Sequence, residues 1–176
     1  IGKSAKHPLV IDKPFYVSHM SFGAISREAK IALAQGSAAV NTAMCSGEGG
    51  MLQGSRKAAK HYIYELGTAP FSHDESAIKM ADAVEIKMGQ AAKPGLGGVL
   101  PAAKVTDEIA RIRNIKPGED GHTPARMDGV NNADDLRKKV DWVRSATGGK
   151  PVGIKFAAGH IEADIETALL ASPDFI

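Results

Sequence analysis

Residues 84–101 read VEIKMGQAAKPGLGGVLP and change from a strand pattern to a loop pattern partway along. Apolar residues alternate with Glu85 and Lys87 at the start, which is typical of a β-strand. The glycines and prolines that follow Gln90 predict that no regular element continues there. We therefore expect Lys87, Gln90 and Lys93 to lie at the carboxyl end of a strand, where parallel α/β folds bind their ligands.

Strand patterns alternate with helix patterns along the rest of the chain. Further strand segments are predicted at residues 15–20, 38–44 and 151–156, with an apolar stub at residues 173–176. Helical spacing and capping residues predict helices at residues 26–35, 54–66, 74–83, 105–115, 132–148 and 161–169. Parallel strands need crossover connections, and these are normally helical. The pattern predicts the first half of a (β/α)8 TIM-type barrel, with four strands and a stub, in one unit of residues 1–176.

Composition excludes several classes of protein. The 176 residues are 43% hydrophobic and 24% charged, which is ordinary for a globular protein. The 22 basic residues exceed the 20 acidic ones by two and are scattered, so we expect no nucleic-acid interface. The single Cys45 excludes an internal disulfide and fits a reducing, cytoplasmic setting. No apolar run approaches the ~20 residues that span a bilayer, and no signal layout begins the chain, so no membrane contact is expected.

Two glycine-containing loops follow predicted strands. Residues 20–26 read MSFGAIS, a tight turn that leads into a helix capped by Ser26. Such a turn can rest its backbone against a planar ring, and it is also an ordinary capped turn. Residues 46–50 read SGEGG, which either brings Glu48 close to a ligand or leaves one exposed carboxylate in a flexible turn. Neither loop has the spacing of a P-loop or a dinucleotide fingerprint.

Cationic side chains supply the remaining candidates. Lys87, Gln90 and Lys93 would suit a dicarboxylate or the electron-rich edge of a flavin. Lys155 interrupts an apolar strand, which favours a position at the top of the barrel over an edge position with its stem reaching water. Cys45 lacks a partner pattern for nucleophilic catalysis, so we predict a packing role. The histidines have no metal-ligand spacing, and no metal site is expected.

Four segments together resemble the FMN-binding synthase domain of glutamate synthases: MSFGAIS at 20–26, SGEGG at 46–50, KMGQAAKPGLGG at 87–98 and VTDEIA at 105–110. The form they resemble most is the archaeal-type or glutamate-synthase-like alpha subunit, as its N-terminal part. The resemblance implies a (β/α)8 barrel in which reduced FMN passes a hydride to 2-iminoglutarate, formed from 2-oxoglutarate and glutamine-derived ammonia, to give L-glutamate. It also implies an electron-donor subunit or ferredoxin, a glutaminase subunit or domain, and an iron–sulfur cluster whose ligands lie outside these residues.

The same resemblance implies roles for individual residues. The residues expected to bind FMN are Met20, Ser21, Gly23, Ser46, Gln90 and Lys155. Glu48 and Lys87 would be catalytic, with Glu48 orienting ammonia, while Lys87 and Lys93 would bind the substrate carboxylates. The chain departs from the family pattern at Ala91, where Gly is usual, and at Leu96, where long bacterial enzymes have an acidic residue. Two alternatives stay open: a methylglutamate-synthase-like subunit, and a non-catalytic α/β fragment that needs a partner fragment.

Overall fold

Six strands and six α-helices are present in the computed structural model, which describes residues 1–93 and 96–176. The strands are β1 (Ala43–Cys45), β2 (His61–Leu66), β3 (Ala83–Lys87), β4 (Val99–Leu100), β5 (Gly121–His122) and β6 (Val152–Lys155). The helices are α1 (Arg27–Ala39), α2 (Gln53–Ala58), α3 (Glu75–Met80), α4 (Asp107–Arg113), α5 (Ala133–Ala146) and α6 (Ile161–Leu170).

The main sheet consists of β1, β2, β3 and β6, which pair in that order and are all parallel. Single parallel bridges extend it at both edges, from Val17 to Met44 and from Phe175 to Gly153. Helices connect these strands, as crossover geometry requires. The predicted parallel α/β arrangement is therefore confirmed, and the described residues do not close the sheet into a barrel.

One predicted helix is wrong over half of its length. Residues 54–66 were expected to be helical, but α2 ends at Ala58 and β2 begins at His61. Tyr62, Ile63 and Tyr64 are all buried, because helices cover one face of β2 and other segments cover the opposite face. A strand that is buried on both faces carries a continuous apolar run, and a short buried helix can carry the same run. The apolar pattern of this segment therefore does not distinguish a strand from a helix.

The four predicted strands differ from the four observed ones in membership. Residues 15–20 contribute only the bridge at Val17, and α1 extends to Ala39 inside the segment expected to be the second strand. Strand β2, which was not predicted, is the fourth strand of the main sheet in place of residues 15–20. The short β4 and β5 pair antiparallel, and β4 lies in the segment after Gln90 where no regular element was predicted. The stub is confirmed as an edge contact through Phe175.

Helix starts were predicted well because their signal is local. Ser26, Thr106 and Asn132 each accept a hydrogen bond from the backbone N–H three residues ahead, at 3.1, 3.3 and 2.9 Å. Strand β3, strand β6 and helix α6 also lie where they were expected. Among the described residues, no helix has the length and apolar character that crossing a bilayer would require.

The two faces of the main sheet differ in chemistry. The outer face packs its apolar side chains against the helices. The inner face is apolar near the strand starts, where Ala43, Ile63 and Ala83 pack with Leu9 of the N-terminal segment. Side chains two residues further along a strand point to the same face. That alternation places Glu65 and Glu85 on the inner face, and the cationic ends of β3 and β6 beyond them.

Candidate functional site

A half-buried carboxylate, that of Glu48, lies between two lysines at the carboxyl end of β3. Lys87 donates a hydrogen bond to Glu48 Oε2 at 2.6 Å, and Lys93 donates to Glu48 Oε1 at 3.3 Å. Burial raises the pKa of Glu48, but the hydrogen bonds and charges of the two lysines outweigh it and lower the pKa. Glu48 is therefore an anion with each oxygen bound to a different cation, and the three residues predicted to be catalytic or substrate-binding lie together.

Glu65 extends this cluster to Lys155. The Lys155 ammonium donates to Glu65 Oε1 at 3.2 Å, and Lys87 Nζ lies 3.7 Å from the same oxygen. Positive and negative groups thus alternate from Lys93 through Glu48, Lys87 and Glu65 to Lys155. Lys155 lies at the carboxyl end of β6, on the inner face of the sheet. The sequence analysis missed Glu65 because it placed that segment in a helix.

A second buried carboxylate lies beside Glu65 in the register of β2 and β3. Glu85 accepts a hydrogen bond from the Tyr16 hydroxyl at 2.7 Å and forms an ion pair with His19. Burial raises the pKa of Glu85, yet the bonds from His19 and Tyr16 lower it overall. Burial and the Glu85 carboxylate raise the pKa of Tyr16. Glu85 is therefore held ionised on the inner face by neighbours from the segment before Met20.

The loops at residues 20–23 and 46–50 lie directly against each other. A Cβ on Gly47, whose φ is +68°, would come within 2.6 Å of Met20 C and Ser21 N. Gly23 also has a positive φ, +107°, which a turn this tight requires. The Ser46 hydroxyl accepts from Glu65 N–H at 2.8 Å and donates to Gly47 O at 2.9 Å. The hydroxyl of Ser46 therefore holds the loop onto β2.

Gln90 follows β3 in the loop that carries Lys93. Its backbone oxygen accepts from Lys93 N–H at 3.2 Å, and the preceding Met88 N–H donates to Lys155 O at 2.8 Å. These bonds place Gln90 near the end of β6 and half-bury it. Pro94 and Gly95, which belong to the predicted loop motif, lie outside the described residues.

Arg113 at the end of α4 is a site residue that the sequence analysis missed. Its guanidinium is buried, donates to Phe22 O at 2.9 Å and has an Nε without a partner among the described residues. Burial lowers the pKa of Arg113, and the Glu48 charge opposes that change. A cavity of about 140 Å³ is lined by Arg113 together with Ser21, Glu48, Lys93, Gly98 and Thr123. Arg113 follows Ile109 by four positions, so both lie on the buried face of α4. This spacing is the feature of the sequence that could have indicated a buried arginine.

Cys45 lies on the inner face within 4.8 Å of ligand atoms of His19 and Glu65. Burial, followed by the charges of Glu65 and Glu85, raises the pKa of Cys45, which keeps it a thiol. His19 and Glu65 are already engaged by Glu85 and Lys155. We therefore interpret Cys45 as a packing residue of the apolar cluster around Ile63 and assign no metal to this group.

Comparison with known proteins identifies the family. The family model that describes a conserved region in glutamate synthase matches residues 1–176. The chain belongs to the glutamate synthase family. This membership confirms the resemblance that the four sequence segments predicted.

Several glutamate synthases are similar over nearly the whole chain. The archaeal glutamate synthase [NADPH] of Methanocaldococcus jannaschii is 37% identical over 165 residues, which are 93% of this chain and 32% of that protein. The archaeal-type glutamate synthase [NADPH] of Thermotoga maritima is 37% identical over 96% of this chain and 34% of its own length. A glutamate synthase large subunit-like protein of Rhizobium meliloti is 33% identical over 98% of this chain and 39% of its own length. The chain thus spans about a third of the length of these glutamate synthases.

Proposed function

We propose that this chain is part of a cytoplasmic, FMN-dependent glutamate synthase that forms L-glutamate from 2-oxoglutarate and glutamine-derived ammonia through 2-iminoglutarate. Membership of the glutamate synthase family supports an oxidoreductase role in glutamate biosynthesis. The observation that carries the finer proposal is the position of Glu48 between Lys87 and Lys93. This arrangement combines an anion for an amine with cations for substrate carboxylates at the ligand-binding end of a parallel sheet.

A (β/α)8 barrel in the full-length protein fits the sheet. Parallel strands follow one another in chain order from the Val17 bridge through β1, β2, β3 and β6 to the Phe175 bridge. The inner face is apolar near the strand starts and charged near their carboxyl ends. TIM barrels share this division, with a packed interior below a site built at the carboxyl ends.

The residues at the carboxyl ends fit FMN by their donor chemistry. Lys155 and Gln90 would offer an ammonium and an amide to the polar edge of a flavin. Met20, Ser21 and Gly23, together with the loop that begins at Ser46, would pack against the ring from the two loops that contact each other. When bound, FMN would supply the hydride that makes L-glutamate. The full-length protein would add an iron–sulfur cluster, an electron-donor subunit or ferredoxin, and a glutaminase subunit or domain.

The charge of the cluster fits a dicarboxylate. Lys87, Lys93, Lys155 and Arg113 supply four cations against the three carboxylates of Glu48, Glu65 and Glu85, so these seven residues carry one net positive charge. Lys87 and Lys93 would bind the carboxylates of 2-oxoglutarate, and Arg113 adds an unpartnered N–H beside them. Glu48, held ionised, would accept hydrogen bonds from ammonia and orient it.

Full-length protein tests this proposal. We expect flavin absorbance in the purified protein or after addition of FMN, and glutamate formation from 2-oxoglutarate and ammonia under reducing conditions. Lys87→Met should abolish glutamate formation, whereas Lys79→Met, which changes an exposed lysine paired with Glu75, should leave it unchanged. A protein that binds no FMN would refute the proposal. Formation of N-methylglutamate from methylamine in preference to glutamate would favour the methylglutamate-synthase-like alternative.

A further inference from the structure

Lys30 of α1 is a fully buried lysine, with 0% of its surface exposed. It shares the buried face of the helix with Ala34 and Ser37. Its Nζ donates a hydrogen bond to Met20 O at 2.7 Å and another to Ser46 O at 2.8 Å. Lysine is almost never completely buried unless its ammonium is satisfied, so these two bonds explain how the fold accommodates it.

The ammonium of Lys30 is held by backbone carbonyls, and it forms no ion pair within residues 1–93 and 96–176. Burial lowers the pKa of Lys30 to about 8, and the charge of Glu65 on β2 opposes the shift. Burying a lysine destabilises a fold in which an apolar side chain would pack without that cost. Packing alone therefore does not explain why a lysine occupies this buried position.

The two carbonyls that Lys30 binds belong to different loops. Met20 begins the loop at residues 20–23, and Ser46 begins the loop at residues 46–50. These loops already touch, since a Cβ on Gly47 or Gly49 would come within 3.0 Å of backbone atoms in the first loop. The Lys30 ammonium lies beneath both loops and binds one carbonyl of each, so it sets their relative position.

We propose that Lys30 is a positioning residue that fixes the two loops at residues 20–23 and 46–50 against each other from below the site. The inference rests on the proposed function in that these loops would bind FMN. Its physical basis is the pair of charge-assisted hydrogen bonds, which are stronger and more directional than contacts of an apolar side chain. Without them, the first loop keeps its bond from Arg113 and the second its bond to β2, but no lysine ammonium bridges the two.

The test compares full-length wild type with Lys30→Met, Lys30→Arg and the exposed control Lys79→Met. In FMN-free protein, Lys30→Met should speed amide hydrogen exchange in residues 20–24 and 46–50 about tenfold or more, while amides of β2 and β3 keep their protection. The FMN dissociation constant should rise about tenfold or more in the same variant. Lys79→Met should change neither quantity.

The pH dependence separates positioning from simple packing. In wild type, FMN should bind several-fold more weakly above about pH 8, because a neutral amine donates weaker hydrogen bonds. Lys30→Arg keeps its charge and should not show this alkaline loss, while Lys30→Met should bind weakly throughout.

Several results would overturn the inference. Unchanged exchange and unchanged FMN affinity in Lys30→Met would do so, and so would faster exchange spread evenly over the sheet. If neither variant folds, a wild-type affinity that stays constant through pH 8 would count against it. A wild type that binds no FMN would refute the proposed function. Amide hydrogen exchange of the two loops in Lys30→Met would still show whether Lys30 positions them.

Discussion

Glu48 and Lys87 are 39 positions apart in the chain, yet Lys87 Nζ lies 2.6 Å from Glu48 Oε2 in a largely buried ion pair. Lys93 binds the other carboxylate oxygen. A substrate carboxylate that binds these lysines must therefore compete with Glu48 for them. The first prediction follows from that competition.

Glu48→Gln should lower the KM for 2-oxoglutarate several-fold in the full-length enzyme and lower kcat by about 100-fold or more. The amide releases both lysines for the substrate, but it no longer provides an anion to orient ammonia. Steady-state kinetics at varied 2-oxoglutarate and ammonia measure both effects. Glu75→Gln on the exposed face of α3 is the matched control. A raised KM with unchanged kcat would contradict this assignment of Glu48.

Lys87→Met should destabilise the fold by about 3 kcal/mol, because it leaves Glu48 and Glu65 as poorly compensated buried charges. Lys79→Met, which breaks an exposed pair with Glu75, should change stability by less than about 1 kcal/mol. Urea denaturation at neutral pH gives both free energies of unfolding. Equal losses in the two variants would mean that burial does not distinguish these ion pairs.

Acid should remove part of the stability that comes from Glu48. Its pKa is lower in the folded state than the ordinary value of 4.5, so the folded state binds fewer protons than the unfolded state around these values. The stabilisation is complete above pH 4.5 and is lost as pH falls through the folded pKa. Urea denaturation of wild type between neutral and acidic pH should show this loss, and Glu48→Gln should show a smaller one. An equal loss of stability with falling pH in wild type and Glu48→Gln would refute the link between Glu48 ionisation and stability.

Lys30 should contribute a stability term of the same sign of slope, but at alkaline pH. Its pKa is about 8 in the folded protein against an ordinary 10.5, so the unfolded state binds more protons between these values. Wild type should therefore gain stability relative to Lys30→Met as pH rises from 8 to 10.5, by about 3 kcal/mol at most. Burial of Cys45 acts in the other direction, but it is common to both proteins. A difference that does not change with pH would refute the perturbed pKa.

Gly47→Ala should destabilise the protein by about 1–3 kcal/mol through its positive φ and its contact with Met20. Gly118→Ala separates the two causes, since Gly118 has a φ of +76° and nothing within 4 Å of its added Cβ. Gly36→Ala in α1 meets no atom within 4 Å and should stabilise by about 0.5–1 kcal/mol. Thermal or urea unfolding ranks the three variants. A Gly47→Ala protein no less stable than Gly118→Ala would mean that the loops can separate freely.

Local chemistry made some elements predictable and left others ambiguous. A capping side chain bonds its own helix, so Ser26, Thr106 and Asn132 could be recognised without tertiary information. Strand β2 could not be recognised in this way, because burial on both faces gives Tyr62, Ile63 and Tyr64 an uninterrupted apolar pattern. The same error removed Glu65 from the set of candidate residues.

The sequence alone determined most of the strands and helices, the family, and Glu48, Lys87 and Lys93 as separate candidates, since each of these is recognised from a short motif. The tertiary structure decided which side chains meet these residues. Glu65, Arg113 and Lys30 reach the site from β2, α4 and α1, and the pairing of distant elements sets their positions. Long-range contacts of this kind depend on how the sheet and helices pack, and no local pattern encodes them.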